Sequence, residues 1–470
     1  MQAVKRVPAG VIRRERVLDP QIFCGRLAGL LSSPATMTTG ELGARVVEGW
    51  RIEEGRPPIP PDSMPLYRPA NVGNMELDLE PVHCQAPKIN GPWCVEPGDV
   101  LVKKIEPIRA AWITSRVFRH PADANCYLVR GLDPATGFWV ALCLNQPAYG
   151  HYMVRKSGAA VLPRVRMWVL RSLPVPPLPV EIGPLAQEAA DCLDERVAQT
   201  EELARLRREV DAVVSESVPS DLLSETAQFV GSRCWYQFFP SADVGVSWVP
   251  GHVAINAFQR HLREDGEWNR LEELLSQRQP PRVRASDEWA ELPILRLSNA
   301  RTDFTIPAIV PTSPVQELRR IFAQPIHVDD VLLSTLVSQP RVAYAGRGFS
   351  SSVYVTDHWE RLHFRETPGA WALVLNTSPI RDQLRRMAVG SFQQFATPAM
   401  LGRTMLPNVP LEVRVRWDSA LRQYVRRQYE LERRWLGVLR RAYELLRRTH
   451  NEYGDWTVPP FDPKHEEAAT

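Results

Sequence analysis

The sequence predicts an α+β protein: two copies of a mixed, β-rich unit, separated by two long helices that pair as an antiparallel coiled coil. Three observations predict it. Short segments of the first half recur in the second half, in the same order and at a nearly constant offset. Each half closes on a proline-marked exit. Each exit leads into a long proline-free stretch with one apolar stripe.

The repeats come first because a fixed period decides the architecture. Pro65, Arg68 and Asn71 of "PLYRPANV" fall on Pro293, Arg296 and Asn299 of "PILRLSNA", 228 residues on. Asp99, Val100 and Leu101 of "EPGDVLVKKI" fall on Asp330, Val331 and Leu332 of "HVDDVLLSTL", 231 residues on. "ALCLNQP" at Ala141 matches "ALVLNTSP" at Ala372, again at 231. Leu173 and Pro174 fall on Leu406 and Pro407, at 233. Chance explains any one match between short β-like segments; the signal is that all four are collinear. A chain of 470 residues is long enough for two or three domains. The boundaries expected are a first unit over 1–180, a helix over 181–217, a second unit over 218–410, a helix over 411–454 and a tail over 455–470.

Within the first unit, "GDVLVKKI", "AAWITSRVF", "NCYLVRGL" and "FWVALCLN" read as strands. They are short, rich in β-branched or aromatic residues, and bounded by Pro, Gly, Asp or Asn. Scattered prolines argue against long helices inside the units. The exit "LPVPPLP" then opens a helix over about Pro184 to Val214, with Pro184 in its first turn. Its stripe is Leu185, Ala189, Cys192, Leu203, Leu206, Val210 and Val213, interrupted by Arg196 and Gln199. The second helix covers about Arg416 to His450, with the stripe Trp417, Leu421, Tyr424, Gln428, Leu431, Trp435, Val438, Ala442 and Leu445. Each rod of about 30 residues is about 45 Å long. The first carries eight acids against four arginines, and the second, counted from Leu411 to His450, eleven arginines against five acids. Opposite charge and matching length favour antiparallel pairing, with Leu203, Leu206 and Val210 on one side of the seam and Leu431, Trp435 and Val438 on the other.

Composition bounds the function. The chain is 44% apolar and 24% charged, as a folded soluble protein is. A net charge of +3 gives no whole-chain argument for nucleic acid, so that case rests on local patches. Seven cysteines with no CxxC pair suit buried thiols in a reducing compartment and do not point to zinc. No apolar run reaches spanning length and no signal-peptide core is present, so a cytoplasmic protein away from membranes is expected.

No phosphate loop, dinucleotide fingerprint or HExxH pair occurs. No GxSxG elbow occurs either. "VPPFDP" at Val458 is the nearest string to an amino-methyltransferase pocket and lacks the acid or amide before its prolines. His358 and His363 of "DHWERLHF" read as structural or surface residues. No catalytic residue and no metal ligand is assigned. Basic residues do cluster. Lys103, Lys104 and Arg109 lie in one stretch; Arg155, Lys156, Arg164 and Arg166 lie in another, interleaved with Tyr149, Tyr152 and Trp168. The second half offers Arg341 and Arg347, then Arg385, Arg386, Gln393 and Gln394. Arg and Lys neutralise phosphates, and Gln and Arg can read base edges, so these thirteen residues are the DNA-binding candidates. Singly, each is better explained by an ordinary solvated surface; matching positions in the two halves favour the set as a whole.

The order of parts resembles the specificity subunit of type I restriction-modification systems. The residues that carry the resemblance are "GDVL" at Gly98, "SGAAVLPRV" at Ser157, and the proline exits before helices such as "LDERVAQTEEL" at Leu193. The second unit departs from the pattern, with "VDDVL" at Val328 and an extra stretch from Trp235 to Trp289. The resemblance implies that the two units are target recognition domains, each reading half of a split double-stranded DNA target. It implies a helical spacer that docks two DNA methyltransferase subunits, with a restriction/translocase subunit able to join. It implies no cofactor in this chain and S-adenosylmethionine in the partner. Methylation-based phage-defence systems with a related subunit fit as well. The alternatives are a protein–protein scaffold, with two β-rich heads on a helical stalk and no DNA, and an enzyme with an unrecognised site.

Overall fold

Strands form where β-branched runs lie between turn residues, and both faces of each central strand are covered, so apolar residues continue without polar alternation. The computed structural model describes residues 33, 35–50, 64–77, 82–84, 91–116, 119–158, 164–218, 259, 262–263, 267–276, 283–284, 291–297, 301, 303–307, 310, 312–314, 322–337, 340–346, 353–387 and 395–453. The described residues within Met1–Ala198 and Arg433–Thr470 form one unit, and those within Gln199–Glu432 form another. No helix among the described residues is long and apolar enough to cross a membrane.

The first unit is built on an antiparallel sheet of β1 (Arg45–Glu48), β2 (Val100–Lys103), β3 (Ala110–Trp112) and β4 (Cys126–Arg130), in the order β1-β4-β2-β3. Alternation along β2 divides two cores. Val100 and Val102 pack with Trp112, Val129, Phe138 and Trp139 on one face. Leu101 packs with Tyr67, Val95, Ala111 and Leu128 on the other. Three helices follow: α1 (Pro134–Leu144), α2 (Pro147–Ser157) and α3 (Met167–Arg171).

"FWVALCLN" is in α1, not a strand. Asp133 caps the helix by accepting from the Ala135 and Thr136 amides, and Pro134 holds its first position. The helix is buried from Thr136 to Leu144, so it is apolar all round and shows no period from which to read a helix. Asn145 ends it, exchanging two hydrogen bonds with the backbone of Ala110 at 2.7 and 3.0 Å. "ALVLN" likewise lies in a helix, Pro368–Leu375.

In the second unit β5 (Val331–Ser334), β6 (Val342–Tyr344) and β7 (Trp359–Leu362) pair antiparallel in the order β6-β5-β7. This is the order β3-β2-β4 of the first unit. Val331 and Leu333 face one core while Leu332 faces another, as Val100, Val102 and Leu101 do. α4 (Pro368–Leu375), α5 (Ser378–Arg386) and α6 (Pro398–Gly402) follow in the same sequence. Met37 and Thr38 pair with Val175 and Pro174; Trp268, Asn269 and Arg270 pair with Pro407, Leu406 and Met405.

A buried acid is repeated with the strands. Asp99, 1% exposed, accepts from the Glu96 amide at 2.8 Å and from Arg130 Nε and Nη2 at 2.8 and 2.7 Å. Asp330, fully buried, accepts from the His327 amide at 2.7 Å and lies 3.8 Å from Arg361 Nε. Arg361 lies 231 residues after Arg130, as Asp330 does after Asp99. Gly98 takes the left-handed backbone, φ +88°, that the turn before Asp99 requires. The departure "VDDVL" makes the same turn: Asp329 adopts φ +74°. Its carboxylate accepts from the Tyr344 hydroxyl at 2.6 Å and from Arg422.

The first long helix is Ile182–Glu216 and the second Leu411–Tyr453, 35 and 43 residues. Both extend past the stretches of about Pro184 to Val214 and Arg416 to His450 that the stripes outline. The division into units falls inside each. In the first unit Glu188 pairs with Arg441 at 2.7 Å and Glu195 with Arg434 at 3.0 Å, an antiparallel register. Trp435 and Val438 are buried there in one core with Ala189 and Cys192. In the second unit Glu202 pairs with Arg427 at 3.8 Å and Glu209 with Arg416. Leu203 and Val210 share a core with Leu421 and Tyr424, and Leu206 is half-buried against it. Leu431 is buried. Val213 is 37% exposed and Val214 fully buried, because a straight helix drifts off a strict seven-residue stripe.

Trp435→Ala removes a side chain that is 2% exposed and is expected to cost about 3–5 kcal/mol in urea unfolding. His450 is buried with its ring centroid 5.9 Å from that of Tyr149, and burial pushes its pKa down to about 3. An unfolded histidine charges near pH 6.5 while the folded one does not. Its contribution to stability is therefore full above about pH 6.5 and is lost as pH falls towards 3, by up to about 1.4 kcal/mol per pH unit. Urea midpoints between about pH 7 and 4.5 are expected to fall less steeply in His450→Phe than in the wild type.

Candidate nucleic-acid interface

The described residues on either side of the connection between α2 and α3 carry a set of exposed cations. α2 ends on Gly158 at φ +64°, with Arg155 and Lys156 in its last turn. Arg155 is exposed; Lys156 is turned inward, 2% exposed, donating to Tyr152 Oη at 2.7 Å with its ammonium 5.8 Å from the Trp168 ring centre. At Arg164 to Arg166 the chain is extended. Arg164 and Arg166 point to solvent and Val165 between them is buried. Three bonds fix this alternation. The Val165 amide donates to Lys104 O at 2.9 Å, Tyr127 Oη donates to Val165 O at 3.2 Å, and the Arg166 amide donates to Ser157 Oγ at 3.1 Å. Trp168, 38% exposed, stands on α3 beside them. Guanidinium groups on a fixed backbone next to an exposed indole suit a phosphate chain, which they contact through paired N–H donors.

The other candidates of this unit are placed differently. Lys104 is buried, bonded to Glu48 Oε1 at 2.6 Å and to Ala124 O, with its ammonium 4.0 Å over the Tyr127 ring. Arg109 is 8% exposed. Lys103 is half-buried, and burial, then the charge of Arg109, lowers its pKa. As placed, Lys104, Arg109 and Lys156 do not face a ligand in solvent. Arg171 carries no signal in the sequence. It is exposed and sits three residues after Trp168, a shared-face spacing that has meaning only once 167–171 is known to be helical.

The second unit does not repeat this surface. Arg164, Arg166 and Lys156 fall on Phe395, Thr397 and Met387 at the offset of 231. Arg385 is exposed and bonded to Asp382 at 2.9 Å; Arg386 is half-buried. Arg341 is half-buried and donates to Leu297 O at 3.2 Å. Arg347, Gln393 and Gln394 lie outside the described residues, as do most of the stretch from Trp235 to Trp289 and the tail.

Among the described residues, no group of three or more His, Cys, Asp or Glu could hold a metal ion. His363 bonds to Asp330 at 3.2 Å, and the His358 ring stacks on Phe395 with centroids 6.2 Å apart. Cys94, Cys126, Cys143 and Cys192 are buried free thiols. Burial pushes Cys143 up to about 12, which leaves it a poor nucleophile.

No family model matches the chain, and no curated protein is significantly similar to it. Solved structures do match. The HsdS subunit from Thermoanaerobacter tengcongensis is similar at 16% identity, over 87% of this chain and 96% of that one, with a TM-score of 0.23. A chain from the structural study of complex assembly and conformational transition in the type I restriction-modification system is similar at 16% identity, over 87% and 97%, with a TM-score of 0.24. The S subunit of the type I restriction-modification system from M. genitalium is similar at 12% identity, over 90% and 96%, with a TM-score of 0.36. The solved structures to which this chain is similar thus include type I restriction-modification S subunits, along most of its length.

Proposed function

We propose that the chain is a non-catalytic specificity subunit that reads a two-part DNA target and directs partner methyltransferase subunits to it. One observation carries the reading. The same three-strand order, with the same buried Asp–Arg pair, occurs twice, and each copy leads into a helix of 35 residues or more. A doubled head on a doubled rod suits a doubled target. Each head reads one half-site, and the rods, about 52 and 65 Å long, offer the partner its docking surface. The exposed Arg155, Arg164 and Arg166 supply phosphate contacts for the first head. The resemblance to specificity subunits implies two methyltransferase subunits that bring S-adenosylmethionine, and a restriction/translocase subunit that joins where the system cleaves.

Co-purification with a DNA methyltransferase from the source cell, together with adenine methylation mapped across the genome, tests this reading. Methylation at a split motif that vanishes when the chain is deleted supports it. A chain that purifies without such a partner and leaves methylation unchanged refutes it. The Arg155→Ala, Arg164→Ala, Arg166→Ala variant is expected to bind all duplexes more weakly. The slope of log K against log salt should become shallower by about 0.9 for each phosphate that is no longer neutralised. Lys104→Ala should instead lower stability, because it strips a half-exposed Glu48 and the half-buried Ala124 carbonyl of their partner. Anisotropy titrations between about 50 and 200 mM salt, and urea unfolding, separate the two outcomes.

A further inference from the structure

Within the apolar seam of the second unit lies one buried amide pair. Gln199 and Gln428 are 4% and 2% exposed, and Gln428 Nε2 donates to Gln199 Oε1 at 2.8 Å. The ion pairs between the long helices lie instead among exposed side chains, Glu188 with Arg441, Glu195 with Arg434, Glu202 with Arg427 and Glu209 with Arg416.

These ion pairs cannot set the axial register. Glu188, Glu195, Glu202 and Glu209 are seven residues apart, and so are Arg427, Arg434, Arg441 and Arg448; Arg416 is off this spacing, but a one-heptad slide offers it Glu202 in one direction and offers Glu209 Arg427 in the other. Sliding one helix by a heptad replaces the Glu195–Arg434 pair by Glu195–Arg427 or Glu195–Arg441. The apolar stripe has the same degeneracy, since Leu203 and Val210, and Tyr424, Leu431, Val438 and Leu445, also recur at sevens. A slide of other than whole heptads turns the stripe out of the seam. Only the glutamines break the tie. A heptad slip in one direction sets Gln199 against Leu421 and Gln428 against Cys192; in the other, against Trp435 and Leu206. Either slip strands two buried amides in apolar surroundings, each disfavouring the slipped register roughly ten- to a hundredfold.

We propose that the Gln199–Gln428 pair sets the register of the two long helices and, on the DNA-reading function proposed above, the gap between the half-sites. A heptad slip is about 10 Å, or about three base pairs of B-DNA.

The test places cysteines on the full chain and joins them with a bis-maleimide too short to bridge a heptad. Glu202→Cys with Arg427→Cys reports the native register. Glu202→Cys with Ala420→Cys, and Glu209→Cys with Arg427→Cys, report the two slips; all these positions lie in the second unit. With both glutamines present, only the native pair is expected to link. In Gln199→Leu with Gln428→Leu a slipped link is expected beside the native one, at a tenth of its yield or more. Leu421→Gln with Gln428→Leu moves the amide pair by one heptad, and there the Glu202–Ala420 link is expected to replace the native one. Native links alone in both variants would overturn the proposal, since the heads would then hold register through contacts such as Arg422–Asp329 and Arg301–Glu432. Slipped links in the chain with both glutamines would overturn it too. The links are read without DNA, so they judge the register even if the chain directs no methylation. If it does, the double leucine variant is expected to methylate sites with a second gap, differing by about three base pairs.

Discussion

A buried aspartate at the start of the central strand holds each unit together. Asp99 and Asp330 sit where the chain turns into the sheet, and each is tied across to an arginine on the neighbouring strand, Arg130 or Arg361. A buried carboxylate is costly unless ionic and hydrogen-bond partners meet it. Burial pushes Asp99 towards its neutral form, while the bonds from Arg130 and the Glu96 amide oppose this. Asp99 in turn pushes Arg130 up. The bidentate geometry at 2.7 and 2.8 Å favours the ionised pair. With that turn fixed, the odd and even residues of the strand commit to separate cores and the helices have a floor to pack on.

The sequence showed the frame well because the frame is periodic. Three of the four strand-like runs quoted for the first unit contain strands, and the long helices lie where proline disappears and a stripe begins. The exception is instructive. α1 is buried on all sides, so composition alone could not separate it from a buried strand; Asp133-Pro134 was the available signal for a helix start. The "VDDVL" string looked like a broken motif, yet Asp329 takes the glycine's left-handed backbone and bonds to Tyr344. Aspartate is among the few residues that tolerate that region.

The candidate site was harder to read. Arg155 and Lys156 are neighbours with like charge, but one faces water and the other Tyr152 and Trp168. Lys104 is likewise committed to Glu48 and to the face of Tyr127. No local pattern separates a solvated cation from one that closes a core, because the difference lies in residues distant along the chain. The two copies also share a frame without sharing the whole surface: Met387, Phe395 and Thr397 replace Lys156, Arg164 and Arg166, while Arg386 stands at the position of Arg155. Function resides in such surfaces rather than in the frame that carries them.

The central claim is that two copies of one head read two separate stretches of DNA. Selecting bound duplexes from a randomised pool, with the chain alone and with the methyltransferase proposed as its partner, tests it most directly. The account predicts enrichment of two different short motifs at one fixed separation, with no preference in the bases between them. A single contiguous motif, or no enrichment over the starting pool, would contradict it.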